Sequence, residues 1–131
     1  MEIEAVQAAL VHWMQCLDSG NLDGMIATCH PQVLTVSQGR ATTLGTEPIR
    51  AKFGPRISEF EIRSSFELEH IAVYDSFALV VGTFGGTMRS KSDGSLQRNS
   101  GRLVIGYCRD ASGSWRMILD VDNDAAAEES S

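Results

Sequence analysis

The chain has 131 residues, which is enough for one domain with its own hydrophobic core and too few for two ordinary domains. Seventeen acidic residues against eleven basic ones give a net charge of -6, and the basic residues are scattered, so we do not expect a nucleic-acid partner. The hydrophobic fraction is 43%, but no apolar stretch approaches the roughly 18 residues that a membrane helix requires, so we expect a soluble globular protein.

The cysteines and the first residues predict the compartment. Cys16, Cys29 and Cys108 are odd in number and show neither a C-x-x-C motif nor metal-ligand spacing with histidine. The sequence begins Met-Glu-Ile-Glu and passes directly into a helical pattern, without the basic start and apolar run of a secretion signal. We therefore expect a cytoplasmic protein with free thiols, no metal and no other cofactor.

Helices are predicted in the first half of the chain. Apolar residues recur at helical spacing over residues 3–17, and Ser19-Gly20-Asn21 ends that helix. Asn21 is a suitable cap for a second short helix through residue 28, so the two form a helical hairpin. A short strand over 33–37 and a third helix over about 46–53, with a proline in its first turn, complete this half.

The second half predicts four long strands joined by tight turns. Residues 60–74 alternate between apolar and polar side chains, which is typical of a half-buried strand. The segments 77–88, 97–109 and 115–122 carry apolar side chains on both faces. Three short helices can cover only one face of such a sheet, so we expect its outer face to be covered by a second copy of the chain.

The predicted fold class is α+β, with N-terminal helices packed on a strongly curved antiparallel sheet that forms a cone. Gly82, Gly85 and Gly86 lie within one strand and predict bulges or a bend that curls the sheet. Residues 1–123 form this domain, and the small acidic residues of 124–131 predict a disordered tail.

The order of elements and several short motifs resemble the nuclear transport factor 2-like superfamily. The motifs are Leu17-Asp-Ser-Gly-Asn-Leu-Asp-Gly24, Gly101-Arg102-Leu103 and Gly113-Ser-Trp115 followed by Asp120 and Asn123, and they look like its SnoaL-like and ketosteroid isomerase-like branches. The resemblance implies a cystatin-like, ketosteroid isomerase-like roll with a small-molecule pocket. It leaves function open, because members include isomerases, cyclases and epoxide hydrolases as well as dimerisation and carrier modules.

The resemblance argues against two of these reactions. A steroid isomerase needs a carboxylate base and two acidic hydrogen-bond donors, and their positions fall at Ser37, Trp13 and about Val104, none of which can serve. An epoxide hydrolase needs an Asp-Arg-Asp set, of which only Asp120 has a counterpart, because the other positions fall near Gly82 and Phe84. SnoaL-type cyclases rely on an acid in the last strand, which again matches Asp120.

Asp120 is therefore the main catalytic candidate, since a carboxylate within an apolar strand is costly unless it is paired, hydrated or functional. Pairing across the turn at 110–113 predicts that Asp120 lies near Val104 and Asp122 near Arg102, on the cone side of the sheet. The same register directs Leu103, Ile105 and Tyr107 towards the partner. Arg102 then either contacts a ligand together with Asp120 or forms a structural ion pair with it.

The remaining candidates are one histidine and a group of large apolar residues. His70 follows Phe66 and Leu68 on one strand face, so it is either a second acid-base residue or a core histidine. The residues expected to bind a ligand in the cone, or to pack beneath it, are Trp13, Met25, Phe53, Phe66, Arg102 and Val104. The sequence is therefore compatible with two functions. The first is binding of a mostly apolar small molecule in the cone, with or without acid-base chemistry through Asp120, and the second is a non-catalytic binding or dimerisation module.

Overall fold

The computed structural model describes residues 2–124, which form three helices and six strands. The predicted tail from residue 125 onwards lies outside the described residues, whereas Asp124 belongs to the last strand. The elements in chain order are α1 (Glu2–Asp18), α2 (Leu22–Ala27), β1 (Cys29–Ser37), β2 (Thr43–Leu44), α3 (Glu47–Glu59), β3 (Phe60–Tyr74), β4 (Phe77–Ser90), β5 (Leu96–Arg109) and β6 (Trp115–Asp124).

The six strands form one curved, unclosed sheet in the order β2-β1-β6-β5-β4-β3. Strands β3 to β6 are an antiparallel meander, as predicted, and β1 joins it by pairing in parallel with β6. The helices pack on one face of the sheet, and α1 contacts both β3 and β6. The α+β fold class is confirmed, with one parallel pair that the sequence did not predict.

The core lies between α1 and the inner face of the sheet. Val6, Leu10, Trp13 and Cys16 are spaced by three or four residues, so they form the single buried stripe of α1. The sheet contributes buried side chains from β1, β4, β5 and β6 to the same cluster. This continuous core packs the helices against one end of the sheet. At the other end the helices and the sheet are separated, and a cavity lies between them.

Helix α3 extends six residues beyond the predicted end at Phe53 and includes Pro55. Proline removes one hydrogen-bond donor and normally disfavours a helix interior, yet α3 continues through Pro55 to Glu59. Pro48 lies in the first turn, as predicted. The additional turns of α3 place Arg56 beside the open end of the sheet, four residues after Lys52, which lies in the predicted part of the helix.

The bulges lie elsewhere than predicted. β4 and β5 pair without interruption past Gly82, Gly85 and Gly86, so β4 has no bulge relative to β5 at these glycines, and of the two predicted devices only a bend of the sheet applies to this pair. One irregularity lies in β3, where Glu69 is the additional residue between Leu68 and His70, opposite Gly82. Gly82 instead permits close packing, because a Cβ there would lie 2.2 Å from the ring of Phe66.

A second bulge lies between β5 and β6, and the predicted faces of β5 were wrong, because Leu103, Ile105 and Tyr107 lie on the inner side and not towards a partner. Near the turn Tyr107 pairs with Met117, as expected, but Gly106 pairs with Leu119, so Ile118 is an additional residue. Beyond it Asp120 pairs with Ile105 rather than with Val104. One inserted residue exchanges the two faces of a strand relative to its neighbour, so the predicted register was wrong from this point onwards.

The outer face of the sheet carries a group of apolar side chains that alternate with the inner ones. They belong neither to the hydrophobic core nor to the residues that border the cavity, and each is half-buried or exposed. No helix within residues 2–124 is long and apolar enough to cross a membrane. We call this group the outer apolar face: Leu34, Val36, Leu79, Val81, Val104, Leu119 and Val121.

Candidate functional site

A cavity of about 810 Å³ lies between α1, α3 and the inner face of the sheet. Its volume is within the range of small-molecule sites. The wall formed by α1 and α3 is aromatic, since the Trp13 and Phe53 rings meet edge to face with centroids 5.7 Å apart. The opposite wall is formed by apolar side chains of the sheet, among them Phe66, Leu103, Ile105 and Met117.

The structure places the predicted ligand-binding residues in three different environments. Trp13, Phe53 and Phe66 border the cavity, as expected. Met25 is 0% exposed and does not border the cavity, so it is a core residue and not a ligand contact. Val104 lies on the outer apolar face because of the bulge at Ile118, so its predicted position inside the cone was wrong.

Asp120 lies on the inner face of β6 and borders the cavity. It is only 8% exposed, and no residue within 2–124 donates a hydrogen bond to its carboxylate or forms an ion pair with it. Thr35 and Ile105 are its neighbours on the adjacent strands. Burial, together with the nearby charge of Asp122 and opposed by Lys52, raises the pKa of Asp120 to about 6.

Asp122 lies two residues further along the same face and is paired with a lysine. The Lys52 ammonium is 3.1 Å from Asp122 Oδ2 and donates to the Ser37 hydroxyl at 3.3 Å. The same ammonium lies 5.3 Å from the centroid of the Phe53 ring. One carboxylate of the cavity is therefore neutralised by a cation, whereas Asp120 is left without one.

Sequence reasoning missed Lys52 and its pairing with Asp122. The helix was predicted to end at Phe53, and Asp122 was expected to face Arg102. The available signal was the repeated Asp-x-Asp of β6, which places two carboxylates on one strand face and implies a nearby cation. Ser37, where the resemblance positions the isomerase base, borders the cavity but contributes only a hydroxyl.

Arg102 and His70 lie on the outer side of the sheet. Arg102 is paired with Glu69 at 2.7 Å, so the predicted pair between Arg102 and Asp120 is wrong. Glu69 also accepts a hydrogen bond from Thr83 at 3.1 Å. His70 is exposed and does not border the cavity, because the additional residue Glu69 turns it away from the face that carries Phe66.

Two buried hydroxyl groups lie close to the floor of the cavity. The Tyr107 hydroxyl and the Thr35 hydroxyl have no hydrogen-bond partner within residues 2–124. Burial raises the pKa of Tyr107, so its hydroxyl is neutral. An unpaired buried hydroxyl costs roughly 1–3 kcal/mol, which makes these two groups destabilising features near Asp120.

We therefore expect Tyr107→Phe to leave the free energy of unfolding unchanged or to raise it by about 1 kcal/mol, since it removes an unpaired buried hydroxyl without opening a cavity. Denaturant unfolding measures the change. Tyr74→Phe is the control, because Tyr74 is 60% exposed and its hydroxyl is solvated. A loss of more than about 1 kcal/mol in Tyr107→Phe alone would mean that the hydroxyl is hydrogen-bonded after all.

Comparison with known proteins gives a structural answer only. No family model matches the chain, and no curated protein matches it. Solved structures match over nearly the whole chain. A ketosteroid isomerase-like protein from Erwinia carotovora atroseptica has a TM-score of 0.81 at 16% identity, covering 95% of this chain and 97% of that one.

Further solved structures agree. A nuclear transport factor 2-like superfamily protein from Salmonella enterica has a TM-score of 0.76 at 14% identity and covers 97% of this chain and 93% of its own. The chain has the nuclear transport factor 2-like fold. A conserved protein from Planctomyces limnophilus reaches a TM-score of 0.87 at 16% identity, with 92% and 94% coverage. At such identities the likeness establishes the fold, as the sequence motifs predicted, and function must be argued from the site.

Proposed function

We propose that this protein binds a small, mostly apolar organic molecule in the cavity and acts on it by acid-base chemistry through Asp120. One observation carries the proposal: Asp120 is a buried carboxylate that borders the cavity and has no hydrogen-bond or ion-pair partner within residues 2–124. Such a group costs stability, and unpaired buried carboxylates with a perturbed pKa are concentrated at functional sites.

The environment of Asp120 suits proton transfer near neutral pH. A carboxyl group whose pKa is about 6 is present in both protonation states over the physiological range, so it can donate and accept a proton. Asp122 lies nearby and forms an ion pair with Lys52. Two carboxylates with opposed environments are a common acid-base arrangement, and it serves isomerisation, cyclisation and hydrolysis alike.

The proposal is tested by identifying retained ligands and then removing the acid. Native mass spectrometry of gently purified protein is expected to detect a bound small molecule. With that molecule or its reactive analogue as substrate, Asp120→Asn should lower turnover by roughly 10²-fold or more, because a general acid-base contributes that much. The rate of the wild type should change with an inflection near pH 6. Normal ligand affinity and unchanged turnover in Asp120→Asn would instead favour the non-catalytic binding module.

A second copy of the chain is proposed as the partner of the outer apolar face. The side chains of this face leave apolar surface in contact with water, and a symmetric dimer would cover it. We expect light scattering to give twice the chain mass at micromolar concentration. Val121→Arg should shift the protein to a monomer because it places a charge within the interface, whereas Ser92→Arg in the exposed β4–β5 turn should not. A monomeric wild type would contradict this assignment.

A further inference from the structure

Nearly half of the basic residues of this acidic protein border the cavity. The chain carries a net charge of -6, with only eleven basic residues. Five of these border the cavity, together with three acidic residues, Asp120, Asp122 and Asp124. Basic residues are therefore concentrated at the cavity relative to the rest of the chain, which favours an anionic ligand where their side chains are directed inwards. The five basic residues are Arg40, Lys52, Arg56, Arg63 and Arg98.

Not all of these cations are directed into the cavity or free to bind a ligand. Alternation along β3 and β5 directs the side chains of Arg63 and Arg98 towards the outer side. Lys52 is already paired with Asp122. The remaining cations are Arg40, in the loop after β1, and Arg56, in the last turns of α3, and neither forms an ion pair within residues 2–124.

Arg56 adjoins the aromatic wall of the cavity. Its guanidinium carbon lies 5.5 Å from the centroid of the Phe53 ring, and that ring meets Trp13 edge to face. The cavity wall therefore changes from an aromatic surface to a guanidinium group within the width of one side chain. A guanidinium group binds carboxylates and similar planar anions through paired hydrogen bonds.

We propose that the ligand of this cavity is an amphipathic organic anion, with a flat apolar body against Trp13 and Phe53 and a single carboxylate-like group beside Arg40 and Arg56. This inference rests on the proposed function and specifies the chemical class of its ligand. Asp120 and Asp124 also border the cavity and form no ion pair among the described residues, so the anionic group is bound by direct contact with the two guanidinium groups and not by a net positive charge of the cavity. The anionic end binds at the mouth, and the apolar body extends towards Asp120.

Two dyes that differ only by an anionic group test this inference. The anionic probe is 8-anilino-1-naphthalenesulfonate, and its neutral counterpart is N-phenyl-1-naphthylamine; both fluoresce when they enter an apolar site. The double variant Arg40→Gln/Arg56→Gln should weaken binding of the anionic dye roughly five- to tenfold, as expected for two partly exposed ion pairs. Binding of the neutral dye should change less than about twofold, since the apolar contacts remain.

Two control variants keep the result specific. Arg50→Gln/Arg89→Gln removes an equal number of positive charges at positions that do not border the cavity. It should leave the dissociation constants of both dyes unchanged. Phe53→Ala should weaken both dyes, which assigns their binding to the cavity and not to the outer apolar face. Circular dichroism verifies that each variant is folded.

The outcomes separate the inference from the proposed function. If Arg40→Gln/Arg56→Gln weakens the binding of both dyes equally, or of neither, the anionic ligand class is overturned. Dye binding that is lost in Phe53→Ala would still support the cavity as a small-molecule site. Failure of both dyes to bind, or binding that persists in Phe53→Ala, counts against the small-molecule site itself and therefore against both proposals.

Discussion

Asp120→Asn is expected to raise the stability of the protein above pH 6 and to leave it unchanged, relative to the wild type, below about pH 4. The pKa of Asp120 is raised from 3.8 to about 6 in the folded protein, so the folded state binds the proton more tightly than the unfolded state does. The penalty for its ionisation is absent below the unfolded pKa, develops as the pH rises towards 6, and is complete above that value. Asparagine does not titrate, so the variant has no such ionisation penalty.

The expected size follows from the shift. One pKa unit corresponds to about 1.36 kcal/mol, so the total effect is about 3 kcal/mol, and the difference in unfolding free energy between Asp120→Asn and the wild type should increase by roughly 2–3 kcal/mol from pH 4 to pH 8. Urea unfolding at both pH values measures it. Using the change between two pH values removes any cost of the asparagine amide itself, because that cost is the same at both.

Asp110→Asn is the matched control with the opposite sign. Hydrogen bonds from Ser112, the ion pair with Arg116 and the amide of Ser114 hold the pKa of Asp110 below its usual range. The charged form is therefore the stabilising one, and Asp110→Asn should be less stable than the wild type by a nearly constant amount between pH 4 and pH 8, because this stabilisation is complete above the unfolded pKa and is lost only as the pH falls towards the lower folded pKa. If Asp120→Asn behaved like this control, Asp120 would be a structural carboxylate with an unseen partner, and the catalytic proposal would fail.

Gly82→Ala is the substitution expected to destabilise the fold most. A Cβ at this position would lie 2.2 Å from the Phe66 ring and 2.5 Å from the backbone oxygen of Glu67. The ring could turn aside, but the backbone of β3 could move only by breaking its pairing with β4. We expect a loss of about 3 kcal/mol or more, because strain of this kind in a packed sheet exceeds ordinary overpacking.

Gly85→Ala is the control for Gly82→Ala. The nearest atom to a Cβ at Gly85 is the Ser65 hydroxyl oxygen at 3.3 Å, and this side chain can rotate. Its expected cost is below about 1 kcal/mol. Thermal unfolding followed by circular dichroism compares the two variants. Similar midpoints would show that Phe66 does not depend on Gly82 for its place in the cavity wall.

The sequence predicted the elements of the fold better than their contacts. Helices α1 and α2 and the meander β3–β6 followed from periodicity and turn residues, since both signals are local. The bulge at Ile118 did not, because Leu103, Val104 and Ile105 are all apolar and either register buries an apolar side chain. In a sheet with two apolar faces, hydrophobicity alone therefore does not distinguish the correct register from one shifted by a single residue.

Of the candidate site, the sequence predicted Asp120 but not its immediate neighbours. Asp120 was identified because a carboxylate in an apolar strand is conspicuous whichever register applies. Its surroundings were not, because they depend on the bulge at Ile118. Lys52, rather than Arg102, is the cation near the cavity acids; it lies within the predicted part of the helix, but the expected register had assigned Arg102 to Asp122.

The pKa of Asp120 in the folded protein tests the account most directly. Carbon-13 NMR of the aspartate carboxyl groups, titrated from pH 3 to pH 8, measures it, and Asp120→Asn identifies the resonance. We predict a midpoint near 6, well above those of the exposed aspartates. A midpoint at or below about 4 would mean that the carboxylate is paired or hydrated in the folded protein, and it would contradict the central role given to Asp120.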